Sequence, residues 1–148
     1  MLKKLRNKKG FTLAELLIVV AIIGILVAIS IPIFTSQLQK VRLATNQANA
    51  RAAYSAVKSQ FLTSDHPSEG ETYYTYDTEK DQIVTESPNG QNGFAGRVSD
   101  DGSKPSSWTT STYIGGHKDW TLGRHVYKKW ELVVGNSNGD VRQYIAGD

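Results

Sequence analysis

From residue 16 to residue 34 the chain reads Leu-Leu-Ile-Val-Val-Ala-Ile-Ile-Gly-Ile-Leu-Val-Ala-Ile-Ser-Ile-Pro-Ile-Phe, without one charge. At about 1.5 Å rise per residue, a helix over residues 11–34 crosses a hydrocarbon core of about 30 Å. Directly before it stands Lys8-Lys9-Gly10-Phe11-Thr12-Leu13-Ala14-Glu15, which places a carboxylate inside the apolar segment. An ionisable residue at membrane depth is functional by default and calls for a partner. The plainer alternative is a carboxylate near the helix start that snorkels to water.

The helical pattern does not stop at the end of the apolar run. Leu38, Val41, Thr45, Ala48, Ala52 and Ala56 recur at three or four residues, and Tyr54, Val57 and Phe61 continue a neighbouring stripe. The alanine-rich residues 48–53 favour helix and close approach by a packed sheet. One helix of about 50 residues, roughly 75 Å, is therefore expected from Phe11 to Leu62 or Thr63. It ends at Ser64-Asp-His-Pro-Ser-Glu-Gly70. Pro32 removes a donor and Gly24 is a poor helix former, so residues 24–32 are the expected place for a bend or local unwinding. A tolerated kink in a plain membrane anchor is the competing reading.

After Gly70 the period changes to short apolar and aromatic runs separated by turn residues. Residues 72–76, 82–86, 93–98, 111–114, 126–134 and 141–145 read as strands, the last two joined by Gly-Asn-Ser-Asn-Gly-Asp at 135–140. Residues 87–93 and 99–107 read as exposed loops. The fold class expected is α+β: a long N-terminal helix packed against a small antiparallel sheet. Four segments result: a leader at 1–10, an apolar helix at 11–34, its amphipathic continuation at 35–63 and a head at 64–148.

Charge sharpens this division. The whole chain has 17 Lys and Arg against 14 Asp and Glu, net +3. Five of those positives, Lys3, Lys4, Arg6, Lys8 and Lys9, precede Phe11, which leaves 12 against 14 and a net charge of −2 beyond it. The basic balance thus belongs to the leader. A positive cluster before an apolar run fits a cytoplasmic flank under the positive-inside rule, not a nucleic-acid patch, and sends the head outward. With no cysteine there is no disulfide, thiolate metal site or cysteine nucleophile.

Several patterns imitate chemistry. Gly135 to Gly139 fit G-x-S-x-G, but a nucleophile elbow needs a helix after it, and residues 141–145 look like a strand. A hairpin turn is the better account. Asn136, Asn138 and Asp140 also outline an oxygen-rich calcium candidate, without a bidentate glutamate at the right offset. Residues 77–81 read as a solvated turn. His66, His117 and His125 are too scattered for a metal motif. Tyr73, Tyr74, Tyr76, Tyr113, Tyr127 and Tyr144 with Trp108, Trp120 and Trp130 load the head with aromatics, which strand packing or adhesive sugar stacking would use.

Residues 8–40 resemble the N-terminus of type IV pilins and their pseudopilin relatives. The resemblance implies cleavage between Gly10 and Phe11 by a prepilin peptidase, and N-methylation of Phe11. It places the family's glutamate on Glu15, its threonine on Thr12, and its helix-bending glycine and proline on Gly24 and Pro32. The residues support those roles: an ammonium on Phe11 of one subunit beside Glu15 of a neighbour would remove two buried charge penalties together. The resemblance further implies a structural subunit, not an enzyme, held in the cytoplasmic membrane and then assembled into a helical homo-oligomeric filament for adhesion or surface motility. An assembly platform and a separate ATPase are the implied partners. No cofactor is expected, save that major pseudopilins bind calcium in the C-terminal region. Many Gram-negative pilins carry a C-terminal disulfide, and the cysteine-free chain departs from them, as a Gram-positive pilin or a major pseudopilin would.

Two alternatives stay open on the sequence. One is a pseudopilin of a type II secretion system or a DNA-uptake pilus. The other is a secreted or membrane-anchored enzyme or binding domain behind an ordinary signal peptide, since residues 16–29 have h-region length and Ala28-Ile29-Ser30 imitates a cut site. Glu15 and the helical stripe after residue 35 oppose the latter.

Overall fold

In a computed structural model the described residues are 10–88, 96–98, 104–115 and 120–148. The leader at 1–9, His117, and residues 89–95 and 99–103 of the expected loops and third strand lie outside them. Two compact units divide the chain, Met1–Gln37 and Leu38–Asp148. Helix α1 (Leu13–Thr63) contributes to both.

In the first unit every described residue, Phe11 and the whole apolar run included, is exposed. This stretch is long and apolar enough to cross a membrane. The expected unwinding at residues 24–32 is not found, because α1 is unbroken through Gly24 and Pro32. A proline deletes one backbone donor, and nearby hydroxyls engage carbonyls around it. Ser30 Oγ donates to the Leu26 carbonyl (2.7 Å) and Thr35 Oγ1 to that of Pro32 (3.0 Å).

The second unit is an antiparallel sheet whose core takes in the end of α1, the α+β architecture expected. Strands β1 (Glu71–Asp77), β2 (Gln82–Pro88), β3 (Gly96–Arg97), β4 (Lys129–Gly135) and β5 (Val141–Gly147) lie in the order β2-β1-β4-β5-β3. Alternate residues Trp130, Leu132 and Val134 of β4 join Tyr74, Tyr76, Tyr144 and Ala146 in one buried cluster with Ala50, Ala53, Val57 and Phe61 of α1. Trp108 stacks on Trp130 with centroids 5.6 Å apart and meets Tyr144 edge-on at 5.4 Å. Packing thus absorbs most of the aromatics, while Tyr113 and Trp120 remain partly exposed.

Three sequence expectations need correction. The buried stripe of α1 is Asn46, Ala50, Ala53, Val57 and Phe61, whereas Val41, Ala48 and Ala52 are exposed. Val57 and Phe61 of the neighbouring stripe are buried as expected, but alanine is small enough for either face, so among residues 41–53 apolar content did not select the packed one. Asn46 did, through backbone bonds to the head: Nδ2 donates to the carbonyls of Leu122 (2.9 Å) and His125 (2.7 Å), and Oδ1 accepts the Tyr127 N–H (3.0 Å). The strand expected from residue 126 begins only at Lys129 for the same reason. Helix side chains claim the backbone of Tyr127, whose carbonyl also accepts from Asn49 Nδ2 (3.3 Å). Residues 111–114 form two isolated bridges, Tyr113 with Thr121 and Ile114 with Val98, not a full strand.

Asn46 is fully buried, so truncation strands the Leu122 carbonyl and the Tyr127 N–H away from water and takes a bond from the part-buried His125 carbonyl. Each orphaned buried group costs about 1–3 kcal/mol. Asn46→Ala should therefore destabilise the head by about 3–5 kcal/mol, against under about 0.5 kcal/mol for exposed Ala48→Ser. Urea unfolding of the detergent-held chain, followed by tryptophan fluorescence, measures both. Equal midpoints would show that the amide is dispensable.

Residues 77–81 make the β1–β2 turn, as expected. Asp77 Oδ1 accepts the N–H groups of Glu79 (2.9 Å) and Lys80 (3.2 Å), and Asp81 takes a left-handed φ of 52°. Burial pushes the Asp77 carboxyl up. The two N–H bonds and the Lys80 and Lys129 charges more than offset that, holding it below the ordinary carboxylate range. Its stabilisation is present above the unfolded-state value of about 3.9 and is lost as pH falls through the lower folded value. Asp77→Asn keeps an acceptor for the turn but binds no proton, so its Tm should fall less between about pH 4 and pH 2 than the wild type's. Thermal melts across that window test this, and parallel curves would exclude Asp77 as a source of the acid limb.

Candidate functional site

The N-terminus of α1 is built by its own first residues. Thr12 precedes the helix; its hydroxyl oxygen accepts the Glu15 N–H (3.2 Å), while its backbone N–H and its hydroxyl both donate to Glu15 Oε2 (2.8 Å each). This is a capping box, in which two otherwise orphaned donors are satisfied reciprocally. The Thr12 carbonyl accepts the first helical bond, from the Leu16 N–H (3.2 Å). A carboxylate in the first turn also meets the positive end of the helix dipole. The sequence signature Thr-x-x-Glu signals such a box, and the sequence reading gave both residues an assembly role without it.

The box has consequences for chemistry at this end. It uses the Thr12 N–H, which lies on the far side of the Gly10–Phe11 bond, so cutting that bond leaves it intact. It occupies Oε2 of Glu15 and leaves Oε1 without a hydrogen bond among the described residues. A second cation can therefore approach the carboxylate without opening the cap. Phe11 is 88% exposed, and a Cβ placed on Gly10 meets no heavy atom within 4 Å, so the peptide bond between them is sterically open. Gly24, further along, likewise has nothing within 4 Å of where a Cβ would be. The structure thus brings Thr12 and Glu15 together beside Phe11, and leaves Gly24 and Pro32 as separate positions along the helix.

The model for the prokaryotic N-terminal methylation motif matches residues 5–31. Over 63 residues the chain is 48% identical to the type IV major pilin protein PilA of Myxococcus xanthus, covering 43% of this chain and 29% of that protein. Over 53 residues it is 51% identical to the type IV narrow pilus major component PilA5 of Thermus thermophilus, covering 36% and 42% respectively. Its N-terminal segment is thus similar to that of type IV pilins. A fimbrial protein, EcpB of Eikenella corrodens, is 51% identical over 37 residues, 25% of this chain and 23% of its own length. The matches span less than half the length of each pilin relative, and no solved structure matches the chain.

Outside this segment, the remaining candidates resolve into local structure. Residues 135–140 form the β4–β5 turn, with Ser137 exposed and β5 following, so the G-x-S-x-G pattern has no helix after it. Asn136 Oδ1 accepts the Thr72 hydroxyl (2.8 Å) and its Nδ2 donates to the Glu69 carbonyl (3.1 Å), which turns this oxygen inward. Asn138 and Asp140 bond each other, Nδ2 to Oδ2 at 2.8 Å. Gly139 takes φ +70° and lies where a Cβ would come within 3.0 Å of the Phe61 ring. Among the described residues no cluster of three or more His, Asp or Glu side chains is placed to hold a metal ion. His66 stacks on Phe61 at 3.9 Å, and His125 pairs with Asp148 at 2.9 Å.

Proposed function

We propose that this chain is the structural subunit of an extracellular type IV pilus. The observation that carries the reading is a helix whose apolar surface is uncovered over its first unit and whose capped start bears a carboxylate with one oxygen to spare. Uncovered apolar surface of this extent needs lipid or other helices around it. Lipid serves before assembly and neighbouring copies after it. A prepilin peptidase cuts between Gly10 and Phe11 on the cytoplasmic side and methylates Phe11. The subunit then leaves the membrane through an assembly platform driven by an ATPase, with the head outside. In the filament core the Phe11 ammonium of one copy lies against the free Glu15 oxygen of another, and any loosening of residues 24–32 belongs to that packed state. The reading is of a structural protein, not an enzyme, and the pilin and fimbrial names of its relatives support it.

The test is the mature N-terminus. Mass analysis of filaments sheared from cells should find the chain beginning at methylated Phe11. A start at Ile31 would instead mark a secreted domain released by a signal peptidase, and an intact Met1 a plain membrane anchor.

A further inference from the structure

The head holds a cleft of about 390 Å³ between the later turns of α1 and the 3₁₀ turn Pro105–Ser107. Arg51, Tyr54 and Ser55 line it from the helix, Lys104 and Ser106 from the turn, and Tyr144 from β5. The volume is in the range of small-molecule sites. Among the described residues the lining includes two cations and no acid. Neither Arg51 nor Lys104 has an ion-pair partner among the described residues.

The two tyrosines differ in a way that suits a polar ring. Tyr144 is almost fully buried and fixed by the edge-on contact with Trp108, yet its hydroxyl has no hydrogen-bond partner among the described residues. Burial, with a smaller contribution from Tyr54, pushes its ionisation up to about 12, so it stays a neutral donor at physiological pH. That hydroxyl is not sealed from water, so it is free to donate to a ligand oxygen entering the cleft. Tyr54 is 39% exposed and presents its ring to the cleft, with the Lys58 ammonium 5.9 Å from the ring centroid. Ser55 and Ser106 add hydroxyls on facing walls.

We propose that this cleft binds a carboxylated saccharide, with the carboxylate between Arg51 and Lys104, the sugar ring against Tyr54, and ring hydroxyls bonded to Tyr144, Ser55 and Ser106. Arginine fixes a carboxylate through paired charge-assisted bonds. An aromatic face takes the apolar C–H surface of a pyranose, and serine and tyrosine hydroxyls match its oxygens. A bare inorganic anion would use the cations and leave both phenols idle. Acidic polysaccharide and short uronate oligosaccharide share this chemistry.

Isothermal titration of the full-length chain in detergent micelles decides the matter and does not depend on filament assembly. The probes are a glucuronate-containing disaccharide, the uncharged disaccharide cellobiose, inorganic phosphate, and the polysaccharide from which the uronate disaccharide is cut. The uronate disaccharide should bind saturably, and cellobiose roughly a hundredfold more weakly, the loss of about two charge-assisted contacts. Arg51→Gln and Tyr54→Ala should each weaken the uronate roughly tenfold, and Arg51→Gln with Lys104→Gln should remove measurable binding. All three sites are on the surface, and the near-ultraviolet spectrum of Trp108 and Trp130 checks that the head stays folded. Polysaccharide binding tighter per chain than the disaccharide would identify the polymer as the source, and equal binding the oligosaccharide. Absence of saturable uronate binding overturns the proposal. So does phosphate binding as tightly as the uronate, or unchanged affinity in folded Arg51→Gln and Tyr54→Ala.

Discussion

Gly10→Val is expected to leave the leader on the chain and to remove surface filaments almost completely. The structure makes this substitution unusually clean. A Cβ at Gly10 meets no heavy atom within 4 Å, Gly10 precedes the capping box, and the head lies in the other compact unit. Folding, helix capping and membrane insertion should therefore be unaffected. What changes is the strand of backbone that a peptidase must accept, where a β-branched residue narrows the accessible conformations and adds bulk next to the scissile bond. The uncut chain keeps five extra positive charges at its N-terminus and has no free amine on Phe11 to offer a neighbouring subunit. Mass measurement on membrane and sheared-filament fractions separates the outcomes. Mature Gly10→Val subunits in normal filaments would remove the peptidase site from this position.

The long helix and the final hairpin were legible because their signals are local. An uncharged run of this length admits few structures, and a Gly-Asn-Ser-Asn-Gly-Asp stretch between two β-rich runs admits little but a turn. The helix stop was legible as well, with α1 ending at Thr63 directly before the Ser-Asp-His-Pro stretch. Residues 24–32 stay helical because Pro32 removes a single bond, that of its absent N–H to the Ala28 carbonyl. Ser30 and Thr35 bond other carbonyls, those of Leu26 and Pro32, and one missing donor does not end a helix whose remaining bonds stand.

Asn46 was illegible for a different reason. Polar residues inside a helical run are ordinarily assigned to the solvent side, and its value depends on Leu122, His125 and Tyr127, which lie 76 to 81 residues away. The signal present was negative: asparagine is a poor helix former, so one placed mid-helix among alanines has a tertiary use. The same distance effect shortened β4, since the register of Tyr127 is set by the helix. The cleft with Arg51 and Tyr144 joins helix, 3₁₀ turn and last strand, and no local pattern announces it. The capping box is legible in Thr-x-x-Glu, a local pattern that gives Glu15 a role in its own first turn besides any with neighbouring subunits.

That second role makes Glu15→Gln the most discriminating change. Glutamine serves at this position of a capping box as glutamate does, so the Thr12 N–H keeps its acceptor and the helix its start. Membrane insertion becomes easier with the charge gone. The losses are a helix-dipole contribution of about 0.3–1 kcal/mol and, larger, the anion that would face the Phe11 ammonium of another copy. A charge left unpaired at membrane depth costs roughly 2.5–3.5 kcal/mol, which at about 1.4 kcal/mol per factor of ten is on the order of a hundredfold in docking. Thr12→Val is the complementary change: it removes the hydroxyl cap at about 1 kcal/mol and keeps the carboxylate. Membrane-held chain should stay at wild-type levels in both variants. Filament should fall by on the order of a hundredfold for Glu15→Gln and by roughly tenfold at most for Thr12→Val. If Glu15 acted only through its own cap, the order would reverse, with Thr12→Val the worse of the two. Processed Glu15→Gln protein forming wild-type amounts of filament as the sole subunit copy would eliminate intersubunit pairing and leave the capping box as the whole function of this carboxylate.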